Sequence, residues 1–467
     1  MSICFSGLFT KLLGGKISIK INKKHPLIQL SNMLNWHDLS EIVLPDLKAT
    51  TAGGKWWLGR KLKLRIHLGA YLLQHLFNKT DRQLEYDIKD NAAYQIFCGI
   101  QIVDKWHCPD HTKIEEFRSR LSPDTQQKLA NIIVKSAVKL GFADPKVIDI
   151  DSTKQEANMS YPSDASLLCK LAWKIKKVVD YVNDKFYPFC SIKPMEVDLK
   201  SIKNAARKYF FAPKGSTIET KTCLLRGLLD TFNKETRLAI SNIRCLSFKF
   251  NNTPWNIAKS AEQIINLAPK YLEDVEQFLD TGSMVPDKIL SFHLSEVACM
   301  TNNKTGDKKY VFGRRFQLAR TNGNFVIVGK CTDTDMNDKY SIEPIMELHH
   351  ELFDEAPDSV ATDKGYYSKK NEKILDKLGV KKIGIQSPIN AKDTKFNKLP
   401  YREQEALINR RSGIEPIIGH IKHRGQLGRS RMKSDKSIEA SGYTSVLGFN
   451  LRQLIRCNTE KIKKKVA

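Results

Sequence analysis

The stretch from Arg410 to Lys433 constrains this chain more than any other. Its one carboxylate, Glu415, lies among nine basic side chains, counting both histidines. Residues four and seven apart share a helix face, so Arg411, Glu415 and Lys422 are predicted to face one cleft. Pro416 indicates either the first turn of a helix or a kink beside the acid. The alternative is a solvated surface helix that carries an ion pair.

The charge balance of the whole chain points to a polyanionic partner. Its 467 residues include 76 Lys and Arg against 51 Asp and Glu, a net charge of +25. Such an excess usually indicates nucleic acid, although a basic enzyme with another substrate is the alternative. The ten cysteines form no C-x-x-C pair, which favours a reducing cytosol over a zinc or disulfide framework. No apolar run is long enough to span a membrane, and Met1 to Lys20 is predicted to form a short terminal helix.

Residues from about 26 to 140 read as short helices joined by tight turns. Thr80 with Gln83, and Thr112 with Glu115, have the spacing of capping boxes that open two of these helices. In so basic a chain, this pattern favours a DNA-binding module of the helix-turn-helix type. The alternative is a helical bundle that only packs.

The rest of the chain predicts an interrupted α/β domain. A strand at 146–151 carries Asp149 and Asp151 on one face, and mostly helical sequence follows from about 165 to 300. After it we predict a hairpin at 310–328 that turns at Asn322-Gly323, followed by helix 343–353, strand 359–363, helix 368–378, strand 382–386 and a helix from Tyr401 beyond Lys422. Without the helical stretch, this order is the ribonuclease-H-like arrangement.

In that arrangement three carboxylates are expected to converge: Asp151 and Asp363 at strand ends and Glu415 on the last helix. Phosphodiester cleavage with two metal ions needs hard oxygen ligands at two sites about 4 Å apart. Such a carboxylate cluster is costly unless cations hold it. Asp149 is the rival for the first position, and Asp151 is preferred because it is predicted to end its strand. A plain strand end that caps a turn is the structural alternative.

The chain resembles the bacterial insertion-sequence transposases of the DDE type. Arg411, Glu415 and Lys422 match a glutamate motif of the form Y-x2-R-x3-E-x6-K, although Ile408 stands at the tyrosine place and Tyr401 is nearby. The segments that begin at Asp151 and at Thr362-Asp363 resemble the group's two aspartate segments, and Leu84 to Arg120 resembles its N-terminal helices. The resemblance covers most of the chain from about 60 to 455.

The resemblance implies the roles of these residues. Asp151, Asp363 and Glu415 would hold two Mg²⁺ or Mn²⁺ ions in each active site, while Arg411 and Lys422 would contact phosphates near the cut. The basic run that continues from Lys422 would follow the DNA backbone through His423, Arg424, Arg429, Arg431 and Lys433. The expected partners are double-stranded DNA, as terminal inverted repeats and as target, and a second copy of the chain on paired ends.

We therefore expect an α+β or α/β protein with a helical DNA-binding domain at 1–140. A ribonuclease-H-like mixed-sheet catalytic domain is expected at 141–467, with the helical insertion at about 165–300. The expected enzyme is a DDE transposase that cleaves and joins DNA in the bacterial cytoplasm, at the nucleoid. The alternatives are a nuclease of this fold without joining activity, an inactive copy that only binds DNA, or, with less support, a helical scaffold that binds RNA.

Two tryptophans, Trp173 and Trp255, lie in the expected insertion. If this segment holds DNA ends, either ring could stack on an unpaired base. Burial of both rings in helix packing is the favoured alternative. Trp255, between Pro254 and Asn256 at an expected helix start, is the better candidate for stacking.

Overall fold

The computed structural model describes residues 2–5, 17–49, 61–100, 108–186, 194–245, 253–283, 285, 287–301, 310–331, 337–388, 391 and 393–466. The chain divides into two compact units. The first combines Met1–Asn158 with Asn302–Ala467, and the second is Met159–Thr301. In the part of the chain so described, no helix is long and apolar enough to cross a membrane.

The first unit begins with two short antiparallel strands, β1 (Ser2–Phe5) and β2 (Ile17–Lys20). The prediction of a helix over residues 1–20 is therefore wrong at these positions. In β2, isoleucines alternate with a serine and a lysine, and this period of two suits a strand. The helix was predicted from the apolar content of this segment alone, without regard to the spacing of its apolar residues.

Helices fill the described residues from 26 to 139, as the sequence predicts. They are α1 (Pro26–Met33), α2 (Trp36–Ala49), α3 (Lys61–Phe77), α4 (Asp81–Asp90), α5 (Ala92–Phe97), α6 (His111–Arg120) and α7 (Pro123–Lys139). The Thr80–Gln83 capping box of α4 is confirmed. The predicted Thr112 cap of α6 is wrong, because the side chain of Asp110 accepts the backbone N–H of Lys113 and starts the helix earlier.

In the described residues of the second unit, four long helices surround a separate hydrophobic core. These are α8 (Asp164–Phe186), α9 (Leu199–Phe210), α10 (Ile218–Cys245) and α11 (Trp255–Thr281). Leu168, Leu171, Ile175 and Val178 form the buried stripe of α8 at helical spacing. The helices expected between 165 and 300 are thus present.

The described strands that follow α7 are β3 (Asp144–Glu156), β4 (Ala298–Thr301, at the end of the second unit), β5 (Tyr310–Asn322), β6 (Val326–Val328), β7 (Ser359–Thr362) and β8 (Lys382–Ile385). Within the first unit, β3 pairs antiparallel with β5 and parallel with β7, β7 pairs parallel with β8, and β6 returns on β5. The hairpin turns at Gly323, whose φ of +100° suits glycine. This mixed sheet confirms the expected ribonuclease-H-like fold.

The helices that accompany the sheet are α12 (Ile342–Phe353), α13 (Lys369–Lys377), α14 (Tyr401–Ser412), α15 (Ile414–His423) and α16 (Asp435–Val466). One helix was expected from Tyr401 past Lys422, but the chain breaks at Gly413 between α14 and α15. Pro416 lies in the first turn of α15, one of the two positions that the sequence allowed.

The N-terminal helices share one hydrophobic core with the sheet and α16. Buried Gln127 and Asn131 on α7 donate hydrogen bonds to the carbonyl of Val328, each at 3.0 Å. Buried Asn450 on α16 donates to Val326 at 2.8 Å. A fragment that ended near 140 would lose this packing, so the experiments below use the full chain. The expected domain boundary near 140 stays a prediction.

Candidate active site

The parallel pairing of β3 with β7 brings two aspartates to the same level of the sheet. Asp149 lies opposite Ala361, so two residues further on Asp151 and Asp363 are at equivalent positions. Asp363 follows the last residue of β7, as expected. Asp151 does not end β3, however, because β3 continues to Glu156 in pairing with β5. The stated reason for preferring Asp151 to Asp149 is therefore wrong.

One guanidinium, that of Arg411, contacts all three of the predicted acids. Its Nη2 lies 3.0 Å from Asp151 Oδ2 and 3.9 Å from Asp363 Oδ2, and its Nη1 lies 3.0 Å from Glu415 Oε1. The Asp151 side chain is 15% exposed and that of Glu415 is 62% exposed, so the cluster opens to solvent on the side of α15. Three carboxylates around the Arg411 guanidinium concentrate negative charge at this position.

Asp151 is the acid whose ionisation the fold opposes most clearly. Burial raises the pKa of its carboxyl to about 6, and repulsion by Asp363 and Glu415 adds to this rise. The Arg411 guanidinium and the backbone N–H of Ser152, which donates to Oδ1 at 2.8 Å, pull that pKa down. Burial therefore outweighs a direct ion pair here. Asp363 is oriented separately, because Oδ1 accepts the backbone N–H of Gly365 at 2.9 Å.

Asp149, the rival acid, is engaged in a different set of contacts. It is 1% exposed, and it accepts Arg410 Nε at 2.7 Å and Arg320 Nη2 at 2.9 Å. A Cβ at Gly413 would lie 2.1 Å from Arg320 Nη1, so a larger residue here would require that guanidinium, which Asp149 holds, to move. Asp149 thus holds the two arginines that fix the α14–α15 break, and the break aims Arg411 and Glu415 at Asp151.

A buried polar network beneath Asp363 was missed by the sequence reasoning. The fully buried Tyr366 donates its hydroxyl to Gln317 Oε1 at 2.8 Å. Gln317 in turn donates to Asp338 Oδ1 at 3.2 Å, and Arg315 pairs with the same oxygen at 3.1 Å. Tyr366 follows Asp363 closely enough to be noticed in the sequence. Asp338 is brought here by tertiary folding, for which the sequence carries no local signal.

The donor set suits a hard divalent cation. All three side chains offer carboxylate oxygens, with neither His nor Cys among them, as Mg²⁺ prefers. Within the described residues, no group of three or more His, Cys, Asp or Glu side chains is close enough together to hold a metal ion in this arrangement. Arg411 is the cation that contacts the cluster here, and metal binding would need these contacts to rearrange.

The basic run after α15 is tied to the end of β3 by its backbone. The N–H of Glu156 donates to Gly428 O at 3.0 Å, and the N–H of Ser430 donates to Glu156 O at 2.8 Å. Gln155 Nε2 adds a bond to Gln426 O at 2.8 Å. The exposed cations of this run are His423, Arg424, Arg429, Arg431 and Lys433, whereas Arg411 and Lys422 are half-buried. The run therefore presents flexible cations from a fixed backbone.

Other residues singled out from the sequence lie apart from this cluster of contacts or are engaged elsewhere. Arg118 pairs with Asp81, and Arg120 with Glu116, so both arginines of α6 form ion pairs among the N-terminal helices. Tyr401, at the start of α14, is 77% exposed. Ile408, at the place of the expected motif tyrosine, is 39% exposed.

Comparisons with known proteins place two stretches of the chain. A family model described as "Transposase domain (DUF772)" matches residues 16–120, and one described as "Transposase DDE domain" matches residues 297–451. The second match includes Asp363 and Glu415, whereas Asp151 lies between the two matches. An uncharacterized protein, ORF8 in the nfe locus of Rhizobium meliloti, is 23% identical over 164 residues, which are 34% of this chain and 75% of that protein. No solved structure matches the chain.

Proposed function

We propose that this chain, which belongs to the DDE transposases of insertion sequences, cuts and joins DNA with Asp151, Asp363 and Glu415. The observation that carries this assignment is the convergence of the three carboxylates on the Arg411 guanidinium. We place Asp149 outside the triad, because Arg320 and Arg410 hold both of its oxygens.

The three carboxylates would hold two Mg²⁺ or Mn²⁺ ions, which supply charge neutralisation at the scissile phosphate and lower the pKa of an attacking water. The chain's own groups do the positioning. Asp151 is held by the backbone N–H of Ser152 on β3 and Asp363 by that of Gly365 in the turn after β7, while Glu415 projects from the first turn of α15. Arg411 neutralises the acids and, with Lys422, contacts DNA phosphates near the cut.

The substrate of this proposal is double-stranded DNA. The supporting observations are the net charge of +25 and the exposed cations from His423 to Lys433, whose backbone is bonded to β3. We assign the recognition of terminal inverted repeats to the N-terminal helices, α1–α7. The working form is a homodimer on paired ends in the cytoplasm, at the nucleoid.

The test is a plasmid that carries the reading frame together with its flanking DNA. In Mg²⁺ the purified full chain should nick the element ends and join them to a second DNA. Glu415→Gln, Asp363→Asn and Asp151→Asn should each abolish both products while DNA binding survives. Glu405→Gln, on the exposed face of α14, is the matched control and should keep activity. Full activity in a triad variant would remove that residue from the site.

The second candidate function is a nuclease of the same fold that does not join DNA. The open, solvent-facing carboxylate cluster suits hydrolysis as well as strand transfer. The two functions separate in the same experiment, because a nuclease would give nicked products and no joined ones. An inactive DNA-binding copy would give neither.

A further inference from the structure

The second unit carries a basic surface with two exposed tryptophans, which the proposed active site does not use. We name it the Trp–Lys surface: Trp173 and Lys177 on α8, with Trp255 and Lys259 on α11, and with the buried Lys174 between the two helices. Trp173 is 56% exposed and Trp255 is 75% exposed. Burial of both rings in helix packing, the favoured expectation from the sequence, is therefore wrong.

Each tryptophan has a lysine one helical turn further along. Lys177 Nζ lies 5.5 Å from the centroid of the Trp173 ring, and Lys259 Nζ lies 4.9 Å from that of Trp255. The repeated pair sits on two helices that run antiparallel, because Lys174 contacts Gln263 while Asp164 contacts Tyr271. Trp255 is eight residues before Gln263, on the order of 12 Å along α11. The two rings therefore lie at different heights along this pair of helices.

Lys174 links the two pairs. It is only 7% exposed, and its Nζ donates to the neutral Gln263 Oε1 at 2.6 Å. Burial lowers the pKa of Lys174, and the nearby Lys259 and Lys177 lower it further. The pKa of His293 is also lowered, first by burial and then by the positive charges of Lys174, Lys259 and Lys170.

The lysines of this surface have no paired acid within the part of the chain that the structure describes. Among the described residues, none of Lys170, Lys174, Lys177 and Lys259 forms an ion pair with an acid. Clustered cations without counter-charges repel one another and so destabilise the fold. The arrangement therefore favours a polyanion as occupant. A phosphate backbone alone would not require two exposed indole rings. Unpaired bases, in contrast, could stack on these rings.

We propose that the Trp–Lys surface binds an unpaired segment of DNA, with bases stacked on Trp173 and Trp255 and phosphates against the lysines. This is a second DNA site, separate from the carboxylate cluster. It rests on the proposed function only in taking DNA as the polymer. Stacking tolerates any base, so the surface should show little sequence preference.

The test uses the full chain in EDTA, so that cleavage plays no part in the result. Binding is followed by fluorescence anisotropy with a labelled oligothymidine of about 15 nucleotides, a length matched to single-strand sites, and with a duplex of the same length. Trp173→Ala or Trp255→Ala should weaken single-strand binding about tenfold and duplex binding less than twofold. Trp255→Phe should restore most of the single-strand affinity. Leu238→Ala, at a 71% exposed position on α10, is the control and should change neither.

Lys177→Gln and Lys259→Gln report on the phosphate contacts. Each should weaken single-strand binding and reduce the slope of log affinity against log salt by about 0.7. The tryptophan variants should melt within about 2 °C of the parent, because exposed rings contribute little packing. Equal loss for single strand and duplex, or no loss in the double variant Trp173→Ala/Trp255→Ala, would overturn the proposal. A parent chain that binds single strands as expected but does not cut DNA in Mg²⁺ would instead count against the proposed active site alone.

Discussion

Asparagine substitutions at Asp149 and Asp151 should change stability in opposite directions, although both residues lie on β3. Asp151 is destabilised as an anion, because burial raises its pKa from 3.8 to about 6. The difference of about 2 pH units corresponds to about 3 kcal/mol at 1.36 kcal/mol per unit. Asp151→Asn removes that charge, and Arg411 keeps Glu415 as a partner. We therefore expect this variant to be more stable than the parent at pH 8, by up to about 3 kcal/mol.

The pH dependence of that gain has a defined sign. Between pH 4 and 6 the native Asp151 binds more protons than the unfolded one, so the stability of the parent falls as pH rises through this window. Asp151→Asn lacks this term. The difference between the two proteins should be close to zero near pH 4 and largest above pH 6.

Asp149→Asn has the reverse effect, since it leaves Arg320 and Arg410 without their counter-charge. Breaking a buried ion pair costs about 3–5 kcal/mol, and the lower end applies because these arginine side chains keep 14% and 24% exposure. Thermal unfolding at pH 8, followed by circular dichroism, should show a rise in Tm for Asp151→Asn and a fall of about 6 °C for Asp149→Asn, at roughly 2 °C per kcal/mol. A fall of similar size in both variants would refute this division of roles.

Three further predictions concern the same cluster and the basic run. Arg411→Gln should bind Mn²⁺ about tenfold or more tightly in titration calorimetry, because a unit positive charge about 5 Å from a divalent ion opposes its binding by about 1.7 kcal/mol even in water. An unchanged affinity would contradict the idea that Arg411 and the metal ion compete for the same carboxylates. In the parent, Mn²⁺ affinity should rise with pH up to about 6 and then level off as Asp151 loses its proton, whereas a flat profile would remove Asp151 from the ligands. Arg429→Ala and Arg431→Ala should each lower the salt slope of duplex binding by about 0.9, while Arg456→Ala, on the exposed side of α16, leaves it unchanged.

Local sequence patterns predicted the elements of the sheet and the hairpin at Asn322-Gly323. Period-two alternation identifies β5, and the Thr80–Gln83 spacing identifies the start of α4, because both depend on neighbours in the chain. The order of strands and helices was enough to predict that Asp151, Asp363 and Glu415 lie close together. Their roles stay a proposal.

Features that depend on distant partners were not predictable in this way. At the break, Gly413 passes close to the guanidinium of Arg320, which comes from β5 and is distant in the sequence. The extension of β3 past Asp151 depends on pairing with β5. The distinction between Asp149 and Asp151 likewise depends on their arginine partners, since Asp149 pairs with Arg410 and Asp151 with Arg411. The two arginines are neighbours on α14, and the sequence does not indicate which aspartate each one contacts.

The most direct test of the central claim exchanges a carboxylate for a thiolate at Asp363. Mg²⁺ takes oxygen ligands and accepts sulfur poorly, whereas Mn²⁺ tolerates a softer ligand. If Asp363 holds a metal ion, Asp363→Cys should fail to nick the element ends in Mg²⁺ and should recover part of its activity in Mn²⁺, with Asp363→Ala inactive in both. Equal activity of Asp363→Cys in the two metals, or recovery of Asp363→Ala in Mn²⁺, would contradict metal binding by this residue.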